Sequence, residues 1–182
     1  GKSQGKRTKD LSIGIDSSYT EAAQKSFERQ KRYRLMWMDT KYEPGIVKVV
    51  AYDESGNPVA TKEIHTAGVP HHIELSADRS QLTADGRDLS FINVKVVDKD
   101  GNLCPDAAKK IRFKVKGAGS FHAVANGDPA SLESFQKPEM TTFHGQLTAI
   151  VKTDEKPGNI EFIATAPGLK SAKINLTSAS PE

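Results

Sequence analysis

Cysteine is almost absent. Cys104 stands alone among 182 residues, so no disulfide can close within the chain. No histidine or cysteine lies at zinc spacing from it, and Pro105 after it suits a loop. A lone cysteine leaves the compartment open. Long apolar runs are also missing. Nothing approaches the roughly 20 residues that span a bilayer, so no membrane span is expected. The chain opens on Gly1-Lys2-Ser3-Gln4-Gly5-Lys6, with neither an initiator methionine nor a hydrophobic leader, which implies a processed or truncated start. A charge excess of one sign is lacking too: Lys+Arg is 26 against Asp+Glu 23, a net charge of +3. That balance points away from a nucleic-acid partner. Hydrophobic residues make up a lean 36%, as in small sandwiches with much surface per unit of core.

The charge is unevenly placed. Residues 1–34 carry nine basic residues (Lys2, Lys6, Arg7, Lys9, Lys25, Arg29, Lys31, Arg32, Arg34) against four acids (Asp10, Asp16, Glu21, Glu28), a net +5 that leaves −2 for the rest. The cluster is spread out and poor in aromatics, so it reads as a solvated segment; an acidic partner is the alternative.

From Tyr33 onward the pattern is that of an all-β protein. Tyr33-Arg34-Leu35-Met36-Trp37 alternates as a strand would. Ile46 to Tyr52 is β-branched, Glu54-Ser55-Gly56-Asn57 is a hairpin turn, and Pro58 to His65 is the return strand. Thr66-Ala67-Gly68-Val69-Pro70 breaks the pattern, and the domain boundary is placed there, giving modules 1–67 and 68–182. In the second, Ile92, Val94 and Val96 are expected to face a core, with Phe91, Asn93, Lys95 and Val97 on the other side. Further strands are expected at Ile111–Val115, Ser120–Ala125, Gly145–Lys152, Asn159–Thr165 and Ala172–Thr177. About seven short strands over residues 70–178 predict an immunoglobulin-like sandwich. Ser80 to Arg87 reads as a loop. Only Glu21 to Arg32 suits a helix, and its apolar content is thin. The first module offers about four strands, too few to close a sandwich.

Few side chains suggest a site. Trp37, the only tryptophan, has Tyr33 and Tyr42 nearby in sequence. Trp37 and Tyr42 could form an aromatic platform for a sugar face, or Trp37 could anchor a small core. Asn126-Gly127-Asp128-Pro129 opens a long segment running to Thr142. Loops of that length are often functional or interface-forming, and Asn126, Asp128 and Phe135 are candidates for interdomain packing or, less naturally, ligand binding. Asp98, Asp100 and Asn102 lack the glycine and distal glutamate positions of an EF-hand, so they read as a hairpin turn. His71 and His72, as neighbours on a strand, would point to opposite faces and not share an ion. The acids sit mostly in turns. No metal site, no cofactor and no catalytic residue is assigned.

The run Arg32-Tyr33-Arg34-Leu35-Met36-Trp37, with Tyr42-Glu43-Pro44-Gly45 and Lys48-Val49-Val50-Ala51-Tyr52, resembles a module near the C-terminus of bacterial family-2 glycoside hydrolases, the β-galactosidase group. Gly1-Lys2-Ser3-Gln4-Gly5-Lys6 is similar to a hairpin of that module, entered after its asparagine. The second part resembles the bacterial Ig-like domain that follows, on Thr66-Ala67-Gly68, Ile73-Glu74-Leu75, Ala77-Asp78-Arg79, Ala84 to Phe91, Val96 to Asn102, Asn126 to Pro129 and Phe143-His144-Gly145.

The resemblance implies two immunoglobulin-like antiparallel β-sandwich modules, the first truncated at its N-terminus. It implies a parent that hydrolyses β-galactosides or related glycans by a retaining mechanism, which needs two carboxylates about 5–5.5 Å apart. In that family they sit in a (β/α)₈ barrel of at least about 200 residues. The barrel is not in this sequence, so no catalytic residue carries over. The expected role is a non-catalytic accessory and scaffolding region. Its partner would be an upstream catalytic domain of the same chain, in the periplasm or on the surface of a bacterium. The alternatives are a carbohydrate-binding module and a cell-surface adhesion domain. The incomplete first module is expected to expose an apolar edge, a candidate homodimer contact.

Overall fold

The computed structural model describes residues 1–8, 14 and 16–181. Lys9 and Asp10 of the basic segment lie outside the described residues. The chain divides into two compact units, Gly1–Pro44 and Gly45–Glu182.

Among its described residues the first unit contains one helix, α1 (Glu21–Gln30). Its formation rests less on apolar content than on its ends. Thr20 is the N-cap, its Oγ1 accepting from the amide of Ala23. Glu21 lies in the first turn and pairs with Lys25 one turn on. Phe27 is its one buried residue. The strand expected over Tyr33–Trp37 does not form. Alternation marks a strand only where a neighbouring strand takes up the backbone hydrogen bonds, and among the described residues none pairs with this run.

The second unit begins with a hairpin of β1 (Ile46–Tyr52) and β2 (Pro58–His65), which pair only with each other. Its turn forms as the sequence predicts. Asp53 accepts from the backbone and side-chain amides of Asn57, and Gly56 supplies a φ of 85°.

The rest of the unit is a sandwich of two sheets, antiparallel but for one pair. One sheet has the order β4-β11-β10-β6-β8, from β4 (Gln81–Thr83), β6 (Lys110–Gly117), β8 (Glu139–Thr141), β10 (Gly158–Thr165) and β11 (Ala172–Ala179). The other has the order β3-β5-β9-β7, from β3 (His72–Ala77), β5 (Leu89–Val97), β7 (Gly119–Ala125) and β9 (Gln146–Thr153). The exception is β4, which runs parallel to β11. Nine strands replace the seven expected. The additions are β4 and β8, three residues each, too short to show a period of two. Both are edge strands, and short edges limit unwanted pairing.

The core lies between the sheets. Ile92, Val94 and Val96 of β5 are fully buried, as alternation predicts, and meet Ile111, Ile160, Phe162 and Leu176 of the facing sheet. Each such side chain contributes about 1.5–3 kcal/mol on burial. Val97, expected to face outward, is also buried. It ends β5, where Leu103 bridges to it and its carbonyl accepts from His71. Alternation fails there because the chain covers both faces of the strand end. Among the described residues, no buried side-chain nitrogen or oxygen lacks a partner.

Candidate functional site

Trp37 is half-buried, and its indole Nε1 donates to the carbonyl of Gly5 at 3.1 Å. The ring nitrogen therefore ties Trp37 to the segment around Gly5. Tyr42 is 77% exposed and Tyr33 85% exposed, so the aromatic surface the first unit offers is tyrosine more than tryptophan.

The loop from Asn126 to Pro138 is pinned throughout. Asn126 Nδ2 donates to the carbonyl of Thr141, and its Oδ1 accepts from the amide of Asp128. Asp128 Oδ1 in turn accepts from Ala130. Glu133 accepts from the amide and hydroxyl of Thr141, at 2.8 and 3.2 Å. The loop fastens to both sheets. Val124 of β7 donates to the carbonyl of Phe135, and Phe113 of β6 to that of Pro138. Asn126 and Asp128 are thus half-buried scaffold residues of the loop. Beside exposed Ser134, Gln136 and Lys137 the loop presents two large apolar side chains: Phe135 is 58% exposed, and Leu132, which the sequence reading passed over, is fully exposed. A leucine amid polar loop residues, with no periodic neighbours, was the available signal.

The carboxylates displaced from their ordinary range are displaced downward. Glu139 is lowered by hydrogen bonds from Lys110 and Arg112, and Glu161 by Lys116. A glycosidase acid needs the opposite, a carboxyl raised so that it keeps its proton. These acids are fixed anions in ion pairs across the sheet surface.

Asp98 is the most tightly held. Its carboxylate accepts from the amide of Gly68 at 2.7 Å, from Asn102 Nδ2 at 3.0 Å and from the amides of Asp100 and Asn102 at 2.9 Å. Those four donors, the Gly68 amide first, hold it well below the usual carboxylate range. The turn predicted over Asp98–Asn102 exists. What the sequence did not show is its reach of 30 residues back to the linker after β2. Cys104 closes the same corner, its thiol 3.6 Å from the Gly68 carbonyl and its pKa pushed up by burial and then by the Asp98 charge. A folded-state pKa below the unfolded one stabilises the fold above the unfolded value. That contribution is lost as pH falls from about 3.8 toward the folded value. Asp98→Asn places an amide against donors, so its melting temperature should lie below wild type at pH 7. The gap should narrow steadily between pH 4 and pH 2, read by thermal melts across pH. A gap that does not change with pH would show that the carboxylate charge is not what holds the corner.

His71 and His72 correct a geometric premise. His71 precedes β3, so strand alternation does not separate the pair. Their Nδ1 atoms are 3.0 Å apart and the rings meet edge to face. Among the described residues, no cluster of three or more His, Cys, Asp or Glu is arranged to hold a metal ion. Among the described residues, no helix is long and apolar enough to cross a membrane.

Comparison with known proteins accounts for most of the chain. Residues 73–175 match the family-2 glycoside hydrolase C-terminal domain 5, and residues 1–60 match a domain of unknown function, DUF4982. The chain is 42% identical over 177 residues to β-galactosidase BoGH2A of Bacteroides ovatus, covering 97% of this chain and 18% of that protein. It is 31% identical over 105 residues to a β-galactosidase of Thermoanaerobacter pseudethanolicus, covering 58% of this chain and 12% of that one. Among solved structures, a glycosyl hydrolase family 2 member from Bacteroides cellulosilyticus superposes with a TM-score of 0.73 at 33% identity, over 78% of this chain and 18% of that chain. The chain therefore spans less than a fifth of the length of these relatives. An antiparallel sandwich that matches a C-terminal domain model over more than half its length identifies the chain as a member of glycoside hydrolase family 2, from that family's C-terminal, non-barrel region.

Proposed function

We propose that this chain is a non-catalytic accessory region of a β-galactosidase-like glycoside hydrolase, and that it acts by scaffolding. The observation that carries this reading is architectural. A (β/α)₈ barrel alternates eight strands with eight helices, whereas the described residues form one helix and eleven strands, in sheets that are antiparallel but for one short pair. The barrel with its paired carboxylates belongs to an upstream part of a longer polypeptide. The pinned loop that presents Leu132 and Phe135 supports packing against a neighbouring domain there. Residence in the periplasm or on the cell surface of a bacterium belongs to the same proposal, and cell fractionation tests it. The purified chain should release no chromophore from a nitrophenyl β-galactoside above a mock-purified blank. Turnover that survives repurification would overturn the non-catalytic reading.

A second reading, a carbohydrate-binding module, has one observation in its favour: the exposure of Tyr33 and Tyr42 on the first unit. Glycan-array binding that disappears in Tyr42→Ala would establish it.

A further inference from the structure

Two histidines that strand alternation would hold apart aim the same ring atom at each other. His71 stands just before β3, and His72 begins it. Their Nδ1 atoms are 3.0 Å apart, with the rings edge to face. The backbone beneath them is fixed on both sides. The His71 amide donates to the carbonyl of Val97 at 2.8 Å, and the His71 carbonyl accepts from the amide of Lys170 at 3.1 Å. His72 pairs with Val97 of β5 and bridges to Lys170. Both histidines are half-buried, so the sandwich itself sets where their rings can go.

The ring tautomers follow from the neighbours. His72 Nε2 faces the Glu74 carboxylate at 3.6 Å, an ion-pair distance. That carboxylate favours a proton on Nε2 and leaves the His72 Nδ1 lone pair to accept. His71 Nδ1 then carries the hydrogen that joins the rings. A carboxylate behind the far ring nitrogen is the arrangement that orients metal-binding histidines and raises their basicity. The spacing selects a geometry. With metal–nitrogen bonds of about 2.0–2.1 Å, two ligands at right angles stand about 2.8–3.0 Å apart, and two at a tetrahedral angle about 3.3–3.4 Å apart. The gap between His71 and His72 matches the right angle. Right-angled nitrogen and oxygen donors suit copper(II) and nickel(II), and copper(II) binds tightest in that series.

We infer that His71 and His72 form a two-histidine site for a tetragonal divalent ion, copper(II) foremost, with water completing the coordination. On binding, His71 gives its Nδ1 proton to solvent and takes one up at Nε2. The ring stays neutral, and both Nδ1 lone pairs turn onto the ion. The hydrogen bond between the rings breaks, and the Glu74 carboxylate offsets part of the added charge. The ion ties the end of the linker to the β3–β5 ladder. None of this depends on the scaffolding reading.

Equilibrium dialysis of the 182-residue chain against copper(II), near neutral pH in a buffer that does not bind the metal, tests the site. The wild-type chain should take up one ion. His71→Gln and His72→Gln should each weaken that uptake by about tenfold or more, because a single imidazole loses the advantage of a tethered pair. Glu74→Gln should weaken it by about tenfold through the lost orienting carboxylate. His65→Gln and His122→Gln, both at exposed positions outside the pair, should leave it unchanged. Electron paramagnetic resonance of the copper-loaded wild-type chain reads the site without any variant, and should show a tetragonal signal coupled to two imidazole nitrogens. A chain that takes up no copper would overturn the inference. So would equal uptake by wild type and the His71→Gln, His72→Gln double variant, or a wild-type signal coupled to one imidazole only.

Discussion

Phe162→Ala is expected to destabilise the sandwich by roughly 3–5 kcal/mol. Phe162 sits on β10, near the middle of the five-stranded sheet, with no exposed surface. Its ring stacks on Phe113 of β6 at a centroid distance of 5.5 Å. Phe113 stacks in turn on Phe121 of β7, at 6.0 Å and nearly parallel. β6 and β7 belong to different sheets, so this aromatic series joins the two layers. Truncation removes the transfer free energy of the ring and leaves a cavity that neighbours on two sheets cannot both fill. A domain of this size has a total stability of about 5–15 kcal/mol, so the variant should unfold at a much lower urea concentration, with an unchanged slope. Phe91→Ala is the control. Phe91 lies on the outer face of β5 and is 42% exposed, and its loss should shift the midpoint far less. Equal shifts would mean that the stack does not carry the core.

The sandwich was legible because its strands obey a simple rule. Ile92, Val94 and Val96 alternate with polar residues, and burial on one face imposes that alternation. Where the rule failed, a tertiary feature had intervened. Tyr33 to Trp37 alternates without a partner strand. Val97 is covered by Leu103 and the linker, which sequence spacing does not reveal. α1 owes its helix to Thr20 and the Glu21–Lys25 pair, local signals weaker than an apolar stripe. Candidate site residues were legible by type and not by role. Asn126 and Asp128, candidates for interdomain packing, turn their side chains inward to hold the loop. The exposed Leu132 beside them had no pattern to mark it. Asp98 looked like an ordinary turn acid, because its partner Gly68 is brought to it only by the fold.

The second large effect concerns a position with no side chain at all. Gly145→Ala should cost about 2–5 kcal/mol, for two separable reasons. The segment Phe143-His144-Gly145-Gln146 is a two-residue hairpin turn closed by reciprocal hydrogen bonds between Phe143 and Gln146 at 3.1 Å. Its central residues both have positive φ, 49° at His144 and 73° at Gly145, as a type I′ turn requires. An alanine in that conformation costs about 1–2 kcal/mol. The second cost is specific to this site. A Cβ on Gly145 would collide with the backbone carbonyl of Cys104, and the Gly145 carbonyl is itself held by the amide of Val96 at 2.8 Å. The turn cannot move away without releasing β9 from β5 at the edge of the core, so overpacking adds about 1–3 kcal/mol. Gly127→Ala separates the two contributions. Gly127 has a φ of 77° and open space where a Cβ would stand. It should show the conformational cost alone. Urea denaturation of both variants reads the difference directly. If Gly145→Ala proves no more damaging than Gly127→Ala, the close approach to Cys104 is not what requires glycine in this turn.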